Sequence, residues 1–146
     1  MKKGFTLIEL LVVISIIGVL LGLSVFGLQG ARQASRDARR KSDLQAIRSG
    51  LEIFKADCDK YYIGSSLPAT LVGVSGSPYS GSCLTTNTYI EKVPSDPVPD
   101  SYSYGYSSDG TIYMLCAYLE DPPVPADTCT VSCGSGVACN YKVTNP

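Results

Sequence analysis

At 146 residues the chain has room for one modest domain and is too short for a two-lobed enzyme. Its formal net charge of −1 fits neither a basic nucleic-acid binder nor an acidic tail. It has ten tyrosines and no histidine, so the commonest general base and metal ligand is missing.

Met1, Lys2 and Lys3 precede Gly4, and an apolar run of 24 residues extends from Phe5 to Leu28. As a helix it spans about 36 Å, enough to cross a bilayer core of about 30 Å. Glu9 is its only charge. A cleaved secretory signal has a shorter apolar region, about 7–15 residues, ending in a small-x-small cleavage site. This run is longer and no such site follows it. Basic residues flank it on both sides, Lys2 and Lys3 before it and Arg32, Arg36, Arg39, Arg40 and Lys41 after it. The positive-inside rule therefore leaves the orientation to other evidence.

The six cysteines supply that evidence. Cys58, Cys83, Cys116, Cys129, Cys133 and Cys139 all lie beyond the apolar run. An even count in a small region rich in Gly, Ser and Pro reads as disulfides formed in an oxidising compartment. A zinc site fits less well. The closest spacings are Cys-x3-Cys and Cys-x5-Cys, with no Cys-x2-Cys knuckle and no histidine. The C-terminal part then lies outside the cytoplasm and the N-terminus inside.

Past the apolar run the helical pattern continues, with no proline before Pro68. Leu44, Ile47, Leu51, Phe54, Cys58 and Tyr61 recur at spacings of three and four, which predicts one apolar stripe on an amphipathic helix. Asp37 with Lys41, and Arg39 with Asp43, stand at pairing distance on the other faces. Gly64 and Pro68 are the stop signals, so Phe5 to about Lys60 reads as one helix of about 84 Å. Gly27 and Gly30 cost it only about 2 kcal/mol together and bend it without ending it.

Tyr62 to Ser101 reads as a long connecting loop. Tyr102, Tyr104 and Tyr106, the turn Ser107-Ser108-Asp109-Gly110 and the strand Thr111 to Leu119 predict a hairpin. Glu120 to Gly136, broken by Pro122, Pro123 and Pro125, is a second loop, and Val137 to Val143 supplies a third strand. A small antiparallel sheet laid on the helix stripe buries the apolar face of each. A head this small has little core, a deficit that disulfides offset. Cys58 lies near the end of the helix stripe and Cys83 sits in the loop that returns over it, so these two are expected to bridge. Cys116, Cys129, Cys133 and Cys139 then pair among themselves; six cysteines allow 15 pairings in all.

The run Lys3-Gly4-Phe5-Thr6-Leu7-Ile8-Glu9-Leu10 at the mouth of a spanning helix resembles the class III signal of type IV pilins and type II secretion pseudopilins. The stretch Tyr89-Ile90-Glu91-Lys92-Val93-Pro94-Ser95-Asp96-Pro97 is similar to the loop that runs from the long helix to the sheet in major pseudopilins. Ile90 and Val93 would anchor it, while Pro94 and Pro97 fix its path. The helix and this loop cover about half of the chain; the cysteine-rich C-terminal region carries no family pattern. Phe26 stands where many type IV pilins have proline, and only Gly18, Gly22 and Gly27 soften the helix there.

The resemblance implies an α+β, pilin-like fold in four parts: a leader at 1–4, a transmembrane and assembly helix at 5–30, an amphipathic helix at 31–61, and a globular head at 62–146 with a long loop and a small disulfide-stapled sheet. It implies a structural subunit of a type IV pilus or type II secretion-like pseudopilus, not an enzyme. A prepilin peptidase would cut after Gly4, Phe5 would become the N-methylated terminus, and Glu9 would serve assembly. The implied partners are that peptidase, identical subunits in a helical filament, inner-membrane assembly machinery and, before assembly, membrane lipid, with no specific nucleic acid. The subunit would sit as a single-pass protein in the cytoplasmic membrane and then in a cell-surface or periplasmic filament. The alternative is a membrane-tethered exported binding domain that never polymerises, which has no need of Gly4-Phe5 with Glu9. No cofactor is implied. Major pseudopilins often bind calcium in a C-terminal loop, but Glu120, Asp121 and Asp127 lack a diagnostic spacing and read as a solvated loop. Residues 31–60 hold eight basic and five acidic side chains, and residues 61–146 two basic and seven acidic, so a basic stalk would attract an acidic head between staggered subunits.

Overall fold

In a computed structural model of the chain, residues 4–80 and 82–146 are described, with the backbone alone at 25 and 26. One helix, α1 (Leu7–Cys58), is followed by five short strands: β1 (Leu71–Val72), β2 (Thr88–Ile90), β3 (Gly105–Ser108), β4 (Tyr113–Ala117) and β5 (Tyr141–Thr144). Strands β1 and β2 form an antiparallel pair, and β3-β4-β5 form an antiparallel three-stranded sheet. This is the α+β, pilin-like arrangement. The chain divides into two compact units, Met1–Ser35 and Arg36–Pro146.

The unit up to Ser35 is the first part of α1. Among the described side chains, its large apolar ones are exposed from Phe5 (83%) to Leu28 (51%). By length and composition α1 is apolar enough to cross a membrane.

In the unit from Arg36 onward, the helix stripe is the spine of the core. Leu44, Ile47, Leu51, Phe54 and Cys58 are fully buried, with Tyr61 just beyond the helix end. They pack against Leu71 and Cys83 of the long connection and against Tyr106, Tyr113, Leu115, Ala117 and Val143 of the sheet. Phe54 receives Tyr62, Tyr79 and Tyr89 edge-on, with ring centroids 6.2, 5.8 and 5.2 Å away. Strand β4 is apolar on both faces because both are covered. Tyr113, Leu115 and Ala117 face the helix, and Cys116 faces a second cluster with Cys133, Cys139, Met114 and Tyr118.

The helix ends at Cys58, close to the expected end at about Lys60 and before the stop signals Gly64 and Pro68. Asp59 takes a left-handed conformation (φ 62°), and its N–H donates to the Lys55 carbonyl at 2.9 Å, which closes the last turn. Asp is one of the few residues that tolerate this conformation, so the stop is made by Asp59 and not by a glycine. The connection from Tyr62 to Ser101 is not wholly irregular either. Leu71 and Val72 pair with Ile90 and Thr88, a ladder too short to leave a period in the sequence. The hairpin strands are shorter than expected. Tyr102 and Tyr104 precede β3, where Tyr102 stacks on Tyr118 and the Tyr104 hydroxyl donates to Asp43 at 2.8 Å.

Candidate functional site

The N-terminal segment joins the Gly4-Phe5 step to an ordered helix start. Gly4 and Phe5 are exposed and lie just outside α1. Thr6 occupies the N-cap. Its backbone N–H and hydroxyl donate to Glu9 Oε2 at 2.8 and 2.7 Å, and the Glu9 N–H donates back to Thr6 Oγ1 at 3.3 Å. This is a reciprocal capping box, Thr-x-x-Glu, which satisfies backbone donors that the first turn of a helix leaves free. Thr6 is a site residue that the reading of the sequence left without a role, although the four-residue signal was present in it. Among the described residues, Glu9 Oε1 accepts no hydrogen bond. Lys2 and Lys3, the cations nearest to Glu9 along the chain, lie outside the described residues.

A second constellation has no local sequence signal. Arg40 is fully buried on α1 and carries three carboxylates. Its Nε and Nη2 donate to the two oxygens of Asp96 at 2.8 and 3.1 Å, and its Nη1 donates to Asp37 at 2.8 Å and to Glu120 at 3.0 Å. Arg36 grips both Glu120 oxygens at 2.6 and 2.5 Å. Asp37 accepts from the N–H groups of Glu120 and Asp121 at 3.0 and 2.9 Å. The cluster therefore locks three segments together: the helix, the loop carrying Asp96, and the chain leaving the sheet after Ala117. Burial works against the Arg40 charge, but its hydrogen bonds to Asp96, Glu120 and Asp37 outweigh that and hold its pKa above the usual arginine value. The Arg36 hydrogen bonds, offset in part by burial and joined by Arg40, hold the Glu120 carboxyl down at about 2.

This cluster corrects two expectations. Asp37 pairs with Arg40, three residues on, and not with Lys41, whose ammonium lies over the Tyr141 ring. Glu120 is not a solvated loop acid, because two guanidinium groups share it. Asp127 Oδ2 accepts the Lys142 N–H at 3.1 Å, and the Asp121 N–H is already given to Asp37. Arg39 does reach Asp43, at 3.9 Å, over a mostly exposed surface.

The loop similar to that of major pseudopilins is fixed at both ends. Ile90 lies so close to Gly50 of α1 that a Cβ on Gly50 would stand 2.3 Å from Ile90 Cγ1. The Val93 N–H donates to the Ala69 carbonyl at 2.8 Å, and Asp96 ends on Arg40. A cleft of about 400 Å³ opens between this loop and Tyr102–Tyr106, lined by Ile47, Pro94, Pro99, Tyr102 and Tyr104 among others. Its one charged lining residue, Asp96, is bound to Arg40, and its serines have no histidine anywhere in the chain to activate them.

The disulfides are Cys58–Cys83, Cys116–Cys129 and Cys133–Cys139. The first ties the helix end to the long connection inside the main core, and the other two lie together on the outer face of β4.

Comparison with known proteins places this geometry. The family described as the prokaryotic N-terminal methylation motif matches residues 1–25, the stretch that holds Gly4, Phe5, Thr6 and Glu9. Type II secretion system core protein G of Escherichia coli K12 is 33% identical over 101 residues, covering 69% of this chain and 70% of that protein. The chain belongs to the type II secretion system core protein G family. The Klebsiella pneumoniae member is 33% identical over 102 residues, 69% of this chain and 72% of its own length. The Vibrio cholerae member is 30% identical over 112 residues, 76% of each chain. No solved structure matches. As a member of this major pseudopilin family, the chain joins a methylation motif to an exposed apolar helix and a small disulfide-bonded sheet.

Proposed function

We propose that this chain is a structural subunit of a type II secretion pseudopilus, cut by a prepilin peptidase between Gly4 and Phe5 and polymerised through α1. The observation that carries this reading is the methylation motif at residues 1–25, which coincides with an exposed junction and a capped apolar helix. The relatives that share 30–33% identity are named for the secretion system itself, which favours a pseudopilus over a type IV pilus. The four parts then act in order. Residues 1–4 are removed, 5–30 hold the subunit in the cytoplasmic membrane and later line the filament axis, 31–61 form the stalk, and 62–146 the head outside. The role is structural, not enzymatic.

Assembly follows from Glu9. A carboxylate inside an apolar helix is costly in a bilayer, by about 2.5–3.5 kcal/mol at its centre. Thr6 satisfies one oxygen, and Oε1 accepts no hydrogen bond among the described residues. Cleavage creates an amine at Phe5, and in a bundle of parallel helices the amine of an incoming subunit reaches the Glu9 of the subunit before it. That pairing fixes the axial stagger while the apolar faces from Leu7 to Leu28 leave lipid and pack together.

Gly4→Asp should leave the leader attached, read as the intact mass of the membrane form. Glu9→Ala should still be inserted and cut but lose most filaments in electron micrographs of sheared cells. Normal filaments from Glu9→Ala would refute the pairing. Cleavage and secretion that proceed without any filament would favour a tethered domain that never polymerises.

A further inference from the structure

The likeness to major pseudopilins implies calcium in the C-terminal loop, and the acidic oxygens of the head can be followed one by one. Calcium takes about 6–8 oxygen ligands, and its affinity follows the number of charged ones. Both oxygens of Glu120 are taken: Oε1 accepts from Arg36 Nε and Arg40 Nη1, and Oε2 from Arg36 Nη2. Asp96 accepts from Arg40 on both oxygens. Asp109 turns Oδ1 onto the N–H groups of Thr111 and Ile112, 2.8 and 3.0 Å away inside its own hairpin turn. Asp127 Oδ2 accepts the Lys142 N–H. Asp121 is exposed, but no cluster of three carboxylates forms around it or elsewhere among the described residues. The residues present therefore do not fit a calcium site.

Other groups hold this loop. The Cys116–Cys129 bridge ties it to the middle strand β4 across a sequence separation of 13, and Cys133–Cys139 closes its far end across 6. It is seated closely on the chain before and within β3. A Cβ on Gly105 would stand 2.5 Å from Val131 Cγ2, and one on Gly134 would stand 2.6 Å from the Ser101 carbonyl oxygen. The Ser103 N–H donates to the Cys133 carbonyl at 2.8 Å. At the near end Arg36 and Arg40 hold Glu120, and the Asn140 side chain takes both backbone groups of Leu119, at 2.7 and 2.8 Å. We propose that this chain fixes its C-terminal loop with two disulfides and an arginine–glutamate lock in place of a bound cation, so that the fold of the head is indifferent to calcium and sensitive to thiol reductants.

The two devices respond to different conditions. An ion that binds only the folded state stabilises it in proportion to the logarithm of its concentration, and the gain vanishes when the ion is chelated. A guanidinium group is part of the chain and keeps its charge at any ordinary pH. A bridge acts on the unfolded chain by closing a loop, and it persists in an oxidising compartment without any dissolved ligand. Pro122, Pro123 and Pro125 act in the same direction, because each restricts the unfolded loop. Control of the head thus passes from ion concentration to redox state.

The test uses the full chain in detergent, with the near-ultraviolet circular dichroism of its tyrosines reporting head packing, so its outcome stands apart from whether the chain forms filaments. The urea midpoint should be the same in calcium and in a calcium chelator. Titration calorimetry should show no saturable calcium binding up to about 1 mM, the weak end of the extracellular range. A phosphine reductant, which for each bridge opened takes one oxygen from water and leaves two thiols, should lower the midpoint equally with and without calcium. Cys116→Ser with Cys129→Ser should raise the ratio of unfolded to folded head about 100-fold in the chain-entropy model, and calcium should not restore it. Should that variant fail to fold, Cys133→Ser with Cys139→Ser opens the shorter loop and should give a shift of about 40-fold. A midpoint that rises with calcium and falls with chelator, saturable calcium binding within that range, or bridge-free variants as stable as the parent overturns the proposal.

Discussion

Replacing Arg40 with methionine keeps most of the volume and removes the charge that Asp37, Asp96 and Glu120 share. Asp96, with a fully buried side chain, would be left without its counter-ion. Breaking such a pair from one side costs about 3–5 kcal/mol. Arg40→Met should therefore lower the urea midpoint of the head by that equivalent, and Asp96→Asn in the same chain should recover part of it. An additive double variant would mean that the two side chains are not coupled. Glu120 gives a pH signature. Its carboxyl is held down at about 2, below the usual carboxylate range, with the Arg36 hydrogen bonds the largest cause. A depressed folded pKa stabilises above the unfolded value and loses that contribution as pH falls through the folded one. Stability should thus fall across that window in the parent, and less steeply in Glu120→Gln, as followed by thermal melts at a series of pH values.

At the scale of elements, α1 is held at both ends by side chains. Thr6→Val removes the hydroxyl of the capping box at nearly constant shape and should cost about 1 kcal/mol at the helix start. Amide exchange at Ile8 and Glu9 would report it as faster opening confined to the first turn. At the other end, Cys58–Cys83 closes a loop with a sequence separation of 25. Removing it with Cys58→Ser and Cys83→Ser should cost about 3 kcal/mol in the chain-entropy model. The loss should appear as a lower denaturant midpoint of the head, with the helical signal retained. Strand β4 is the opposite case. It has an apolar layer on each face, so its place depends on packing from both sides.

For the whole molecule, the charge contrast between stalk and head shrinks once internal pairs are counted. Arg36 and Arg40 are spent on Asp37, Asp96 and Glu120 within the chain. Any attraction between neighbouring subunits would then have to rest on exposed groups such as Arg39 and Lys41. Association of subunits lacking residues 1–30 should weaken from low to high salt, measured by sedimentation, since exposed charges are screened. Indifference to salt would rule out charge as a force between subunits.

The sequence by itself determined whatever depends on neighbours along the chain. The length and apolarity of Phe5 to Leu28 set the candidate span. The three-and-four spacing from Leu44 to Tyr61 set the buried face, because a helix turns every 3.6 residues whatever it later packs against. The short motif around Gly4, Phe5 and Glu9 carried the family, and the Thr6–Glu9 box was legible there too. Only the tertiary structure decided which groups meet across long stretches of chain. Arg40 finds Asp96 fifty-six residues away and Arg36 finds Glu120 eighty-four away, and no periodicity encodes such pairs. The β1–β2 ladder and the pairing of the four later cysteines, Cys116 with Cys129 and Cys133 with Cys139, are of the same kind. Each depends on how the return loops lie on the helix, and that is fixed by packing and charge burial together rather than by any local preference.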